Sequence, residues 1–326
     1  MFRLGTRILG LIVLLAAHAG HVGHAAVFDY EGPNPPRHVI QRTVAGERPQ
    51  VALVLGSGGR RGFAHAGVLR VLESAGIKPD LIVGVSIGAI IGALYAGGKS
   101  AAEVEHIAMT LELSDLRDLS WLYWGQVRGQ KLQDFVNAQV RQRPLESLGM
   151  RLAVVATRQH DGALQIFTVG DTGVAVRASS AVPGRFYAVR IAGVNYVDGD
   201  VASPVSVRAA RTLGADVIIA VDISAHLKNA PEDLPDEWLQ TDRLRRMRVD
   251  VETHYADVLI HPELGYYAGT SEQYRRRVIA AAAEATRAAL PQIRAAIAAK
   301  RVGAAASTPT TRAASPVPSP AQPAAQ

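Results

Sequence analysis

Ser86 stands in the pentapeptide Gly84-Val85-Ser86-Ile87-Gly88, the G-x-S-x-G spacing of a nucleophile elbow. In such an elbow a serine occupies a sharp strand-to-helix turn with its hydroxyl exposed. Glycines at 84 and 88 let the backbone make that turn and let the following helix lie close to the strand. The pentapeptide alone is a weak signal. Here a glycine-rich turn, Gly56-Ser57-Gly58-Gly59-Arg60-Arg61-Gly62, precedes it, and Asp198-Gly199 follows much later behind a strand-like run. The first two segments each come after a short apolar run and open into a helical pattern. In that company the serine motif is a strong signal.

Residues 55–69 (LGSGGRRGFAHAGVL), the GVSIG at 84–88, and Tyr196-Val197-Asp198-Gly199 with Pro204 behind it together resemble the bacterial patatin-like phospholipases. The similarity runs from about residue 50 to about 223, and a fainter echo at 256–260 with a terminal helix carries it to roughly 297. The resemblance implies a serine–aspartate dyad acyl hydrolase acting on lipid esters, in a patatin-like three-layer sandwich. One position departs from the pattern. The family usually has Gly or Ala after Asp-Gly, whereas here Asp200 follows. Asp200 is expected to point away from the nucleophile, although a second carboxylate there could disturb the base.

A serine hydroxyl is a poor nucleophile until a base accepts its proton, and its attack creates an oxyanion that needs donors. Ser86 is the expected nucleophile. Backbone N–H groups at Gly58, Gly59 and Arg60 are the expected oxyanion hole, because glycine lets the backbone approach substrate with no side chain in the way. A helix starting near Arg61 adds its positive dipole end at the same place. Gly56, Gly62, Gly84, Gly88 and Gly199 support these turns, and Arg61, which matches the family's arginine, is expected to brace the loop rather than touch substrate. The resemblance implies that Asp198 takes the Ser86 proton directly, with no histidine between them. For that it should be partly desolvated, which raises a carboxylate's pKa. Read alone, Asp198-Gly199 is merely a β-turn.

A Ser-Asp-His esterase is the competing catalytic reading, with His226, His254 and His261 as candidates after Asp198. Yet α/β-hydrolases place several strands before the elbow, and here only 51–55 clearly precedes 81–83. His65 reads as a packed, hydrogen-bonded histidine and His261 as a satisfied edge residue. A dinucleotide fingerprint fails at its third position, which is Arg61, and the next strand ends in Gly84-Val85-Ser86 rather than an acid. The non-enzyme alternative is a catalytically inactive lipid-binding or envelope-assembly protein with the same fold. The intact nucleophile, loop and candidate base argue against it. No metal constellation is apparent, and neither a cofactor nor calcium dependence is expected.

The elements that must hold these groups are legible as alternating patterns. Strands are expected at 51–55, 81–83, 152–156, 164–169, 217–223 and 258–260. Helices are expected at 61–74, 87–95, 101–111, 131–142, 204–213, within 236–255, and at 278–297. Unbroken Val, Ile and Leu strands alternating with helices imply an α/β fold, a mostly parallel central sheet with helices on both faces. The apolar loop 181–187 should pass near the site. The aromatics Trp121, Tyr123 and Trp124 read either as core packing or as a flap touching acyl chains or a membrane interface.

Residues 1–25 read as a signal peptide, with Arg3 and Arg7 before a short apolar stretch and Gly23-His24-Ala25 offering a cleavage site. Export to the periplasm or the medium is therefore expected. An irregular lead-in at 26–49, a hydrolase domain at 50–300 (core motifs 51–223, C-terminal helical part 236–300) and a disordered Ala/Pro/Ser tail at 301–326 complete the expected organisation. With 326 residues, 48% of them hydrophobic, the chain can bury a sizeable core, and without cysteine it forms no disulfide and uses no thiolate. Removing 1–25 takes away two arginines and no acid, lowering the formal charge from +6 to +4. That excess concentrates in 243–248 and 275–277, which read either as solvated helix faces or as an attraction to anionic lipid headgroups in peripheral membrane contact. The charge has no nucleic-acid motif with it. Nothing in the pattern sets an oligomeric state.

Overall fold

Val51–Leu55 (β2), Leu81–Val85 (β3) and Val217–Val221 (β8) are buried along their whole length, as near-continuous apolar runs in a parallel sheet must be. In the computed structural model, which describes residues 26–39, 48–112, 114–116, 118 and 126–307 (302–307 by backbone alone), β2 lies between β3 and β8, parallel to both. Val258–Ile260 (β9) extends the sheet beside β8, and Arg151–Arg158 (β4) lies parallel to β3 on the other side. Leu164–Phe167 (β5) and Val194–Asp198 (β7) both pair antiparallel with β4. Ala188–Ile191 (β6) pairs with β7, and Val27–Tyr30 (β1) closes that edge parallel to β6. The expected leader, the aromatics at 121–124 and residues 308–326 of the expected tail lie outside the described residues, whereas 301–307, read as the start of that tail, continue the helix Glu272–Ser307.

Strand side chains alternate between two apolar layers. Leu53, Ile82, Val154 and Ile219 point into a layer with Ala64–Ser74 (α1), Ile87–Ala96 (α2), Ala101–Thr110 (α3), Gln130–Gln139 (α4), Thr172–Ser179 (α5) and Glu272–Ser307 (α8). Val54, Val83, Val155 and Ile218 point the other way, against Val207–Thr212 (α6) and Val249 of Asp236–Thr253 (α7). This is the three-layer α/β sandwich. Each fully buried Leu or Ile, such as Leu53 and Ile82, stabilises it by about 2 kcal/mol.

Three local differences from the sequence reading have physical causes. The lead-in is not wholly irregular: Val27–Tyr30 forms β1, a four-residue edge strand whose partner, β6, lies far along the chain. The stretch Thr172–Ser179 is helical, although its Val and Thr content favours strands. Asp171 caps it by accepting from the Val174 N–H at 2.9 Å, and α4 packs against it. The helix expected from Arg61 starts instead at Ala64, after a 3-10 turn at Gly59–Phe63.

One register places the two key strand ends together. Residues 154–157 of β4 give one edge to β5, so β3 and β7 share the opposite edge. Along it, Val85 pairs with Val155 and Asp198 with Ala156, the next residue. The C-terminal ends of β3 and β7 therefore meet head to head on β4.

Candidate active site

Ser86 follows β3 directly and occupies the N-cap position of α2 with φ 53° and ψ −119°. A positive φ at a non-glycine residue costs on the order of 1–3 kcal/mol and persists only where the surroundings impose it. Here they do. The Ser86 N–H donates to Ser179 Oγ at 2.8 Å, Ser179 Oγ donates to the Val155 carbonyl at 2.5 Å, and the Ser86 carbonyl accepts from Ala89 N–H at 2.8 Å. Gly84 lies in β3 and Gly88 in the first turn of α2, where a Cβ would stand 2.0 Å from the Leu55 carbonyl oxygen. The Ser86 hydroxyl donates to Asp198 Oδ2 at 2.7 Å.

The glycine loop is anchored up to Ser57 and then released. Gly56 N–H donates to the Val221 carbonyl at 3.0 Å and Ser57 N–H to the Pro204 carbonyl at 2.9 Å. The first bond of the 3-10 turn is Arg61 N–H to Gly58 carbonyl at 3.2 Å, so the N–H groups of Gly58, Gly59 and Arg60 have no partner within the turn. Gly59 has φ 55°, which glycine adopts without strain. Gly62 lets the loop touch the serine's helix, since a Cβ there would meet Ile87 Cγ1 at 1.9 Å. Arg61 donates to the Tyr266 carbonyl and also lines the cleft.

Asp198 closes β7 and is 3% exposed. Its N–H donates to the Ala181 carbonyl at 2.9 Å, its carbonyl accepts from Thr157 Oγ1 at 2.8 Å, and its Oδ1 accepts from Asp200 N–H at 2.8 Å. Burial, and after it the negative charge of Asp200, pushes its carboxyl up from 3.8 to about 7, against hydrogen bonds from Asp200 N–H and Ser86 and the charge of Arg245. Gly199 begins the short turn that follows.

Asp200 bonds not to Ser86 but into a network of its own. Its Oδ1 accepts from Arg245 Nε at 2.9 Å and from the Ser57 hydroxyl. Arg245 Nη2 in turn donates to Ser57 Oγ at 2.9 Å and to the Ser57 carbonyl at 3.2 Å. Burial works to raise the Asp200 pKa, but the charge and hydrogen bonds of Arg245 outweigh it and hold the carboxyl below its ordinary value. Arg245 thus ties the glycine loop to the turn after Asp198. In the sequence Arg245 reads only as part of a basic cluster, and Ser179 and Thr157 carry no site signal. No local pattern marks any of the three.

Ser86, Asp198 and the loop at 57–59 line one cleft of about 390 Å³, with Val182 and Pro183 from the loop 181–187, Leu227, Val201, Arg245 and Arg246. The histidines lie elsewhere. His65 is fully buried with Nε2 2.8 Å from the Gly56 carbonyl, and burial pushes its pKa down to about 4. His261 stacks on His226 at 3.8 Å and lies 3.4 Å from Asp222, while His254 packs against Tyr255. Among the described residues no histidine bonds to Ser86 or Asp198, and no group of three or more His, Asp and Glu side chains is arranged to hold a metal ion.

Residues 53–211 match the family profile for patatin-like phospholipase. That stretch is a patatin-like phospholipase domain. It is 32% identical over 211 residues to an uncharacterized NTE family protein of Mycobacterium tuberculosis, covering 63% of this chain and 58% of that one. It is also 32% identical over 206 residues to patatin-like phospholipase domain-containing protein 6 of Homo sapiens, covering 60% of this chain and 15% of that one. The chain therefore spans less than two thirds of the length of these relatives. The crystal structure of VipD from Legionella pneumophila shares the fold, with TM-score 0.55 at 14% identity over 76% of this chain and 68% of that one.

Proposed function

We propose that this chain is a lipid acyl hydrolase of phospholipase A or lysophospholipase type, working through a Ser86–Asp198 dyad. The observation that carries the reading is the 2.7 Å bond from Ser86 Oγ to a buried carboxyl poised near neutrality, with no histidine between them. Ser86 Oγ bonds to the ester carbonyl carbon while its proton passes to Asp198 Oδ2, and the carbonyl π pair moves onto oxygen. The free N–H groups at Gly58, Gly59 and Arg60 receive that oxyanion. Collapse re-forms the carbonyl and breaks the ester C–O bond, and the departing alkoxide takes the proton from Asp198. Water then repeats the sequence on the acyl-enzyme, again giving its proton to Asp198 and releasing the fatty acid.

A lipid substrate is supported by the family and by the apolar side of the cleft, where Val182, Pro183, Val201 and Leu227 suit an acyl chain. The test is Ser86→Ala assayed on a chromogenic acyl ester and a lysophospholipid, with labelling by a fluorophosphonate probe. Activity and labelling should both vanish while the circular dichroism stays unchanged. Residual activity within tenfold of wild type, less than about 1.4 kcal/mol of transition-state stabilisation, would reject Ser86 as nucleophile. A wild-type protein that neither labels nor hydrolyses would instead favour the inactive lipid-binding reading.

A further inference from the structure

Helix α7 presents two dissimilar sides. Asp242, Arg245, Arg246 and Val249 look inward, toward the cleft wall and the sheet. On the opposite side Leu244, Met247 and Val251, with Tyr255 just beyond the helix end, follow one another at spacings of three, four and four residues. That spacing puts them in one stripe about 16 Å long. They are 48%, 64%, 55% and 51% exposed, although large apolar side chains aligned in this way ordinarily face a partner.

The unpaired charges beside the stripe have one sign. Arg243 and Arg248 are exposed next to it; neither makes an ion pair or hydrogen bond among the described residues, and the charge of Arg248 also reaches Asp200 at the cleft. The acids of the helix's later turns are taken: Asp242 accepts from Tyr266 Oη at 2.5 Å, Asp250 pairs with Arg246 at 2.6 Å, and buried Glu252 pairs with Arg208 at 2.7 Å. Asp236 and Glu237 stand in the first turn, about two turns before Leu244, where the stripe begins. Pairing this face with its own copy would set arginines against arginines with no acids to meet them.

We infer that the outer face of α7 is a docking surface for an anionic phospholipid layer, with the apolar stripe entering the interface and Arg243 and Arg248 meeting the headgroups. The contact is peripheral, since among the described residues no helix is long and apolar enough to cross a membrane. The inference rests on the lipid-hydrolase reading, because α7 also forms one wall of the Ser86 cleft and docking would bring that cleft to its substrate.

The experiment is vesicle co-sedimentation of the full chain carrying Ser86→Ala, so that the vesicles persist, using phosphatidylcholine vesicles with and without phosphatidylglycerol. The parent should bind the phosphatidylglycerol vesicles and lose most of that binding in high salt. Leu244→Gln, Met247→Gln and Val251→Gln together should weaken it about tenfold or more, and Arg243→Gln with Arg248→Gln roughly tenfold on the anionic vesicles alone. Glutamine keeps good helix propensity at these exposed sites. With Ser86 intact, the triple-glutamine protein should hydrolyse a soluble short-chain ester like wild type, which shows that it is folded. A parent that ignores anionic vesicles, or variants that bind like the parent, would overturn the docking surface. So would light scattering showing a dimer that the triple-glutamine change converts to monomer, because the face would then be a subunit contact. Failure of the hydrolase reading shows separately, as a wild type without ester activity, and leaves the vesicle arms readable.

Discussion

Asp198→Asn should abolish hydrolysis and at the same time stabilise the protein, by an amount that depends on pH. The folded state holds the carboxyl at about 7 against 3.8 for an ordinary aspartate, mainly through burial and secondarily through Asp200. At about 1.36 kcal/mol per tenfold change in acidity, ionising Asp198 in the fold costs on the order of 4 kcal/mol. Below about pH 4 the group is protonated in both states and costs nothing. Between about 4 and 7 the unfolded chain releases the proton that the folded chain retains, so this contribution to stability falls as pH rises. Above 7 the full penalty is present. Asparagine has the same shape, accepts from Asp200 N–H, and can donate to Ser86 Oγ, whose hydroxyl is free to rotate into an acceptor role. It does not titrate. Urea unfolding of both proteins at pH 4.5 and pH 8 should therefore show a gap that is small at the lower value and reaches roughly 4 kcal/mol in favour of Asn at the higher, with equal m-values. A gap independent of pH, or a variant less stable at pH 8, would refute the desolvated carboxyl. Activity retained in the variant would refute its role as base.

The acid limb of kcat/KM should have its midpoint near pH 7; Asp200→Asn should move it to lower pH and Arg245→Gln to higher pH, because the first removes a negative charge beside Asp198 and the second leaves that charge uncompensated. Unchanged limbs in pH–rate profiles, or shifts in the opposite sense, would count against the Arg245–Asp200 coupling. Gly62→Ala should lower both kcat and the midpoint of urea unfolding, by about 1–3 kcal/mol in stability, since the new Cβ meets Ile87; adding Ile87→Ala should restore part of the stability, and a Gly62→Ala protein as stable as wild type would show that the contact yields. His226→Gln, His254→Gln and His261→Gln, made singly, should each keep activity within about tenfold of wild type on a soluble ester. A folded variant among them as inactive as Ser86→Ala would replace the dyad with a triad.

The chain's local patterns were enough to locate the pieces. The apolar runs at β2, β3, β8 and β9, the turn at 56–62, the elbow at 84–88 and Asp198-Gly199 are all legible because each is encoded within a few residues. Hydrophobic periodicity and glycine placement act at that range. Short edge strands and a helix rich in β-branched residues are not legible in the same way. Val27–Tyr30 becomes a strand only through β6, and Thr172–Ser179 becomes a helix through its Asp171 cap and its packing on α4.

Tertiary structure alone decided how the site is assembled. Ser86 and Asp198 are 112 residues apart and meet because β3 and β7 end head to head on one edge of β4, a register no local pattern specifies. Ser179, 93 residues from Ser86, holds the elbow, and Arg245, 45 residues from Asp200, pairs with the unexpected carboxylate. The acidity of Asp198 belongs to the same class of property. A residue's type sets its ordinary pKa, but desolvation and neighbouring charge exist only once the chain has folded around it.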